Sequence, residues 1–394
     1  MTRALFILPL GFIATLCTAE DPVLPGKENG NFNFTSRPII TCAEPDRVDL
    51  LIFTSHEATI EAEFSADGSI LQTTAPASTG LIDAFTTSHT VSLFFPEGTR
   101  HIAYRIYARQ CLTSKWPFKL SPRIQTGMYS FTMPTSSSNV SFTAFNDLHE
   151  NHEVFRKLIE QFDKQPSDLI VLNGDMVTIV EQEQNIRDFI YTGLGERTAD
   201  RVIHYLRGNH ECRGPHARAM NRYLSTPSPD VNYYTFRQGP VQFMMLDTGE
   251  DKPDFWADYK GLAAFEAYRE KQFEWIKQVV QTKEWTDAPF RVVFCHIPVW
   301  RHLSESWISE CSQPFQTRWM KVLHNAGIDL MISGHTHVYE YRQTGYPLIV
   351  GGGPEPGTAT RIYGEADDQQ LRIQITDDTG AVLDRLTFNA RDSR

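Results

Sequence analysis

Beyond its first residues the chain has no apolar run long enough to cross a bilayer as a helix, so no membrane span is expected. A basic excess is also missing. Lys and Arg number 37 against 48 Asp and Glu, a formal net charge of -11. Nucleic-acid binders usually carry a basic face, so no nucleic-acid-binding surface is expected. An anionic substrate is still compatible with this charge, because bound metal ions can invert the local sign at a site. Internal repeats and low-complexity segments are absent. Cysteine is sparse, at six residues.

The chain does have length. At 394 residues it exceeds one ordinary compact core, so two domains are expected. With 41% hydrophobic and 22% charged residues, the composition is that of an ordinary globular protein. Residues 1–19 read as a secretory signal. Arg3 supplies the positive start, Ala4 to Leu16 an apolar stretch, and Cys17-Thr-Ala19 a small-residue cleavage context. The run is too short for an anchor and carries Pro9, while Leu16 is too bulky to precede a lipidated cysteine. An exported protein, periplasmic or extracellular, is the expectation. Export permits disulfides, and Cys42 and Cys111 flank a strand-rich stretch as a reasonable pair. Cys212, Cys295 and Cys311 make an odd remainder whose connectivity spacing cannot assign, and Cys295 reads as a small buried apolar residue.

Patterning divides the chain. From about Asn33 to Pro134 alternation dominates: Val48–Thr54, Ala58–Phe64, His89–Phe95 and Ile102–Ala108 read as strands, separated by turns such as Asp67-Gly68. This predicts a small all-β domain, immunoglobulin- or fibronectin-like, over residues 22–134. Met133 to Ser138 is the expected linker. From residue 139 to 394 strands and helices alternate. The strands are Val140–Phe145, Leu169–Leu172, Val202–Tyr205, Val241–Leu246, Arg291–Phe294, Leu330–Ile332 and Leu348–Val350. Helical spacing runs over Val154–Phe162, Leu262–Gln281 and Gln316–Asn325, and a closing hairpin spans Gln370 to Phe388. This is an α/β layered domain with reactive residues at strand ends.

Five short segments end these apolar runs: Asp147-Leu-His149, Gly174-Asp175, Gly208-Asn-His-Glu211, Cys295-His296 and Gly334-His-Thr-His337. A lone Gly-Asp is usually a turn, and a lone His-x-His often a polar strand edge. Together they supply carboxylates, imidazoles and one amide oxygen, the donors a pair of catalytic cations needs. Hydrolysis of a phosphate ester requires charge neutralised on phosphoryl oxygens and a hydroxide near neutral pH. Two ions roughly 3.5–4 Å apart do both when one ligand bridges them. A carboxylate oxygen can bridge and an imidazole nitrogen cannot, which favours Asp175. If the backbone stays extended, Asp147 and His149 share one side, as do His335 and His337. Oxygen and imidazole donors without thiolate favour manganese, iron, zinc or nickel.

The order Asp-x-His, Gly-Asp, Gly-Asn-His-Glu, His, Gly-His-x-His resembles the calcineurin-like metallophosphoesterase superfamily, over about Val140 to Thr360 plus the terminal hairpin. The resemblance implies a β-sandwich flanked by helices in four layers, and a binuclear metal centre. Carried over by position, one metal would be held by Asp147, His149, Asp175 and His337, and the second by Asp175, Asn209, His296 and His335. His210 would assist the leaving oxygen, with Glu211 either orienting it or merely starting a helix. The implied activity is attack of metal-bound hydroxide on a small phosphorylated substrate, a monoester in preference to a diester or nucleotide. An inactive, phosphoesterase-like adhesion or binding protein is the non-enzymatic alternative.

An N-terminal β-sandwich ahead of such a domain is similar to purple acid phosphatases. The chain departs from them at His149, where they have glycine, and at Thr178, where they have an iron-binding tyrosine, so no purple colour is expected. Leu206 to Cys212 resembles serine/threonine protein phosphatases, but Asp175-Met-Val-Thr178 lacks their Asp-Arg-Gly continuation.

Other residues carry less. Arg213, His216, Arg301 and His302 suit phosphate but read first as surface charge. Gly351-Gly-Gly-Pro354 reads as an ordinary turn. Trp300, Trp307 and Phe315 would line a cleft or fill a satellite core. Asn33-Phe-Thr35 and Asn139-Val-Ser141 match glycan acceptor patterns.

Overall fold

The computed structural model describes residues 32–133, 138–224, 226, 230–300 and 314–391. The expected signal, Cys311, Arg301, His302, Trp307 and most of the expected linker lie outside them.

Two sheets face each other. The first runs, in spatial order, Tyr129–Thr132, His101–Thr113, Arg47–Ala66, Ile39–Glu44, Val202–Leu206, Leu169–Asn173, Val140–Phe145, Thr360–Ala366, Gln370–Asp377 and Val382–Asn389. The second runs Tyr234–Gln238, Val241–Leu246, Phe290–Cys295, Leu330–Ser333, Pro347–Val350 and Glu340–Gln343. Strand Leu169–Asn173 shows why a buried strand reads as an apolar run, here Leu169–Leu172. Side chains alternate across a sheet, so Leu169 and Val171 enter the core between the sheets while Ile170 and Leu172 face the helix layer. Helix His152–Lys164 covers that outer face with Val154, Phe155, Leu158, Ile159 and Phe162, and Asn151 caps it by accepting from the Val154 N–H at 3.1 Å. Helices Phe265–Val279 and Pro314–Asn325 cover the other sheet through Ile276, Trp319 and Leu323. The result is helix, sheet, sheet, helix.

The N-terminal strands depart from expectation. They are not separate from the strands that follow: Ile39–Glu44 pairs in parallel with Val202–Leu206, so the first sheet continues into them. Val48, Leu50, Ile60 and Ile106 share one core with Phe142, Val171 and Phe243. Val48–Thr54 and Ala58–Phe64 are parts of one strand, Arg47–Ala66, whose register shifts between Phe53 and Ala58. That irregularity reads in sequence as a break between two strands. Cys42 and Cys111 are both free thiols here, as are Cys212 and Cys295. Burial pushes the Cys42 thiol up to about 12. Trp300 and Phe315 pack into the outer core beside Trp319.

Candidate metal centre

All five segments meet where the two sheets' strand ends converge. Asp147, Asp175, Asn209 and His296 are buried, while His149, His210 and His335 are partly open and His337 is exposed. The convergence does not come from extended backbone. Asp147, His149, Glu150, Asp175, His335 and His337 all have φ between 43 and 75°, the left-handed region that side chains other than glycine rarely occupy. Five of these six are candidate ligands. Strands Val140–Phe145, Leu169–Asn173 and Leu330–Ser333 each end in a sharp left-handed turn, which swings the carboxylate or imidazole toward the centre.

The ligand atoms fall in two groups, each within 4.8 Å of one another: Asp147, His149, Asp175 and His337, and Asp175, His296 and His335. Asp175 belongs to both. Its Oδ2 lies 3.0 Å from His296 Nε2 and 3.8 Å from His149 Nε2, while its Oδ1 accepts from the His210 backbone N–H at 2.9 Å. Asp147 Oδ1 lies 3.4 Å from His337 Nε2 and 3.8 Å from His296 Nε2. His149 and His337 bring their Nε2 atoms to 3.1 Å. Asn209 joins the second group. Its amide oxygen sits 3.0 Å from His335 Nδ1, 3.2 Å from His296 Nε2 and 3.3 Å from Asp175 Oδ2. Turned over, the amide would donate to these atoms and accept from Arg213. As it stands, lone pairs converge from four side chains, an arrangement that a cation satisfies. The residues therefore fit a pair of metal ions.

Electrostatics keep two of the rings neutral. Burial pushes the His149 imidazole down to about 4 against the pull of Asp175, and burial with the charge of His296 does the same to His335. A neutral imidazole is the form that binds metal. For His296 burial works downward too, but Asp175 and Asp147 overcome it and raise the ring to about 10. Its Nδ1 is 2.9 Å from the Asn173 carbonyl, which aims Nε2 at the carboxylates.

Several residues whose roles the sequence reading missed hold this geometry. Glu211 is fully buried and does not touch the His210 ring. Its carboxylate accepts from the backbone N–H of Asp175 (2.9 Å), Met176 (2.8 Å), Val177 (3.3 Å) and Gly208 (2.7 Å), and from the Tyr205 hydroxyl (2.8 Å). It ties the Asp175 turn to the Asn209 turn. Asn146 donates to Asp147 Oδ2 at 2.6 Å and to the Gly352 carbonyl at 3.1 Å, so the Gly351-Gly-Gly353 stretch packs against the site and is not a remote turn. A Cβ on Gly334 would stand 2.2 Å from Asp147 Oδ2, and one on Gly174, at φ +85°, 2.6 Å from His296 Nδ1. Both positions require glycine.

His210 stands apart from the two groups. Its Nδ1 lies 2.8 Å from the Thr178 carbonyl, and its Nε2 is 3.9 Å from Asp175 Oδ2 and 2.9 Å from Arg213 Nη1. Arg213 is half-buried and bound at its other edge by Glu250 at 3.0 and 3.1 Å, so it is a positioned cation at the site rather than surface charge. Arg207, in the same loop, turns inward to Asp247 at 2.8 Å. His216 bonds the Tyr223 hydroxyl at 2.7 Å and touches none of the ligands.

Comparison with known proteins places this geometry in context. A family model described as calcineurin-like phosphoesterase matches residues 140–339. Purple acid phosphatase 21 of Arabidopsis thaliana is 23% identical over 223 residues, 54% of this chain and 47% of that protein. Probable purple acid phosphatase 20 of the same plant is 23% identical over 239 residues, 57% of this chain and 51% of that protein. The chain thus spans about half the length of the curated relatives it matches. Among solved structures, a purple acid phosphatase from yellow lupin (Lupinus luteus) seeds superposes with a TM-score of 0.67 at 14% identity, covering 89% of this chain and 74% of that one. PhoD superposes with a TM-score of 0.55 at 12% identity, covering 90% and 91%. Both share the fold.

Proposed function

The chain belongs to the calcineurin-like phosphoesterase family, and from that premise we propose that it is an exported, metal-dependent hydrolase of small phosphate esters, monoesters before diesters. The observation that carries this reading is the single oxygen, Asp175 Oδ2, that faces both groups of ligand atoms. Asp147, His149, Asp175 and His337 would hold one metal, and Asp175, Asn209, His296 and His335 the other. Oxygen and nitrogen donors suit manganese, iron or zinc. Two such ions, when bound, polarise phosphoryl oxygens and make hydroxide available near neutral pH.

The chain's own residues would do the rest. Asp147 and Asp175 fix the charge of the site, each locked by backbone N–H groups, Asp147 by that of His335 at 2.8 and 3.0 Å. Arg213 offers a cationic edge to a phosphate oxygen, which favours the more highly charged monoester. His210, oriented through Thr178, would assist the leaving oxygen once an incoming phosphate draws Arg213 Nη1 away from its Nε2. The relatives' names, purple acid phosphatases, support a monoester. Export rests on the N-terminal sequence.

His210→Ala is expected to keep both metals, by elemental analysis, and to lower kcat by about 10²-fold or more. Wild-type turnover in that variant would remove His210 from the chemistry. Rates on a nitrophenyl monoester and its bis-ester test the substrate class. Faster hydrolysis of the bis-ester would make the protein a phosphodiesterase.

A further inference from the structure

One surface has no part in phosphoester chemistry. Strand His101–Thr113 turns back into the short strand Lys119–Leu120, pairing Cys111 with Leu120 and Thr113 with Lys119. On this hairpin Trp116 is 82% exposed, Leu112 54%, Phe118 52% and Leu120 41%. Single apolar residues scattered over a surface need no explanation, but the exposed rings of this hairpin are gathered into a patch. The patch is organised: Phe118 meets Trp116 edge-on at 5.5 Å and Phe85 at 5.3 Å. Beside Leu120 an open groove of about 340 Å³ runs between Ile82, Tyr107, Arg109 and Arg123.

The hairpin also reverses the charge of the molecule. From Arg109 to Arg123 there are four cations, Arg109, Lys115, Lys119 and Arg123, and no carboxylate, in a chain of net charge -11. The acids of the adjoining strand sit back from the tip. Glu61 lies opposite Tyr107 and pairs with Arg123 at 3.7 Å, while Glu57 precedes Ala58, the partner of Gln110. Lys115 and Lys119 therefore flank the exposed rings at the tip.

We propose that this hairpin seats the protein on an anionic lipid surface. Trp116 and Phe118 would enter at head-group level, where an amphipathic indole is favoured. Lys115, Lys119 and Arg109 would meet lipid phosphates while their stems lie along the apolar boundary. A second copy fits the patch poorly, because two cationic tips repel each other. A loop anchor of this size gives reversible binding that salt weakens.

The test is flotation of the full chain with phosphatidylcholine vesicles, with and without phosphatidylglycerol. Binding is expected only with the anionic lipid. It should fall by about tenfold or more in the W116A/F118A variant and in the K115E/K119E variant, with unchanged melting temperatures. Quenching of tryptophan emission by brominated acyl chains, lost in W116F, reports the tip directly, whatever the apolar N-terminal stretch contributes. Equal flotation of wild type and both variants, or quenching that survives in W116F, would overturn the proposal. So would self-association through the patch, or capture by an acidic protein but not by vesicles.

Discussion

Asp175→Asn is expected to lose both metals and at least about 10³-fold in kcat/KM together. The side chain keeps its shape, so the backbone N–H of His210 still finds an oxygen in place of Oδ1. What changes is the other atom, which faces His296 at 3.0 Å and His149 at 3.8 Å. An amide there is uncharged and cannot bridge two cations, and either of its orientations spoils one contact. Because this one atom serves both groups, the loss should be joint rather than stepwise. Elemental analysis of purified protein beside steady-state kinetics checks it. Full activity in a verified metal-free variant would falsify the two-metal reading.

Glu211→Ala should give the largest loss of stability. The substitution leaves four backbone N–H groups and the Tyr205 hydroxyl without their acceptor, in a place water does not reach. Each orphaned donor costs about 1–3 kcal/mol, and shared relaxation keeps the sum below simple addition. A total above about 4 kcal/mol is expected, a fall of roughly 5 °C in Tm or more for a chain of this length. Glu211→Gln should fall between, since its amide oxygen accepts part of the set while its NH₂ faces donors. Calorimetry of the two variants decides this, and an unchanged Tm for Glu211→Ala would show that the loops hold without the clamp.

How much of this was legible in the sequence follows from what kind of force each residue exerts. The ligand-bearing segments stood out because metal binding demands particular donor types at strand ends, and strands buried on both faces are unbroken apolar runs such as Leu169–Leu172. The supporting residues were hidden. Glu211, Asn146 and Arg213 act on backbone groups or on side chains far off in the chain, and such pairings leave no local period. Glycine at 334 and 174 marked close approach, but a turn would have needed it as well. The extended-backbone argument for Asp147 and His149 does not describe how the two side chains meet. Their side chains converge through left-handed turns, which a two-residue spacing cannot disclose. Alternation located the N-terminal strands and not their neighbours, because the pairing of Ile40 with Val202 joins residues more than a hundred positions apart.

That junction governs how the chain can be divided. A protein trimmed to begin at residue 139 would remove Ile39–Glu44 from beside Val202–Leu206, leaving a short, largely apolar edge strand with bare amide and carbonyl groups. Edges of that kind recruit further chains, so the shortened protein should precipitate or form oligomers rather than remain monodisperse. In this fold the N-terminal strands are the selvedge of the catalytic sheet, the woven border that keeps it from unravelling into its neighbours.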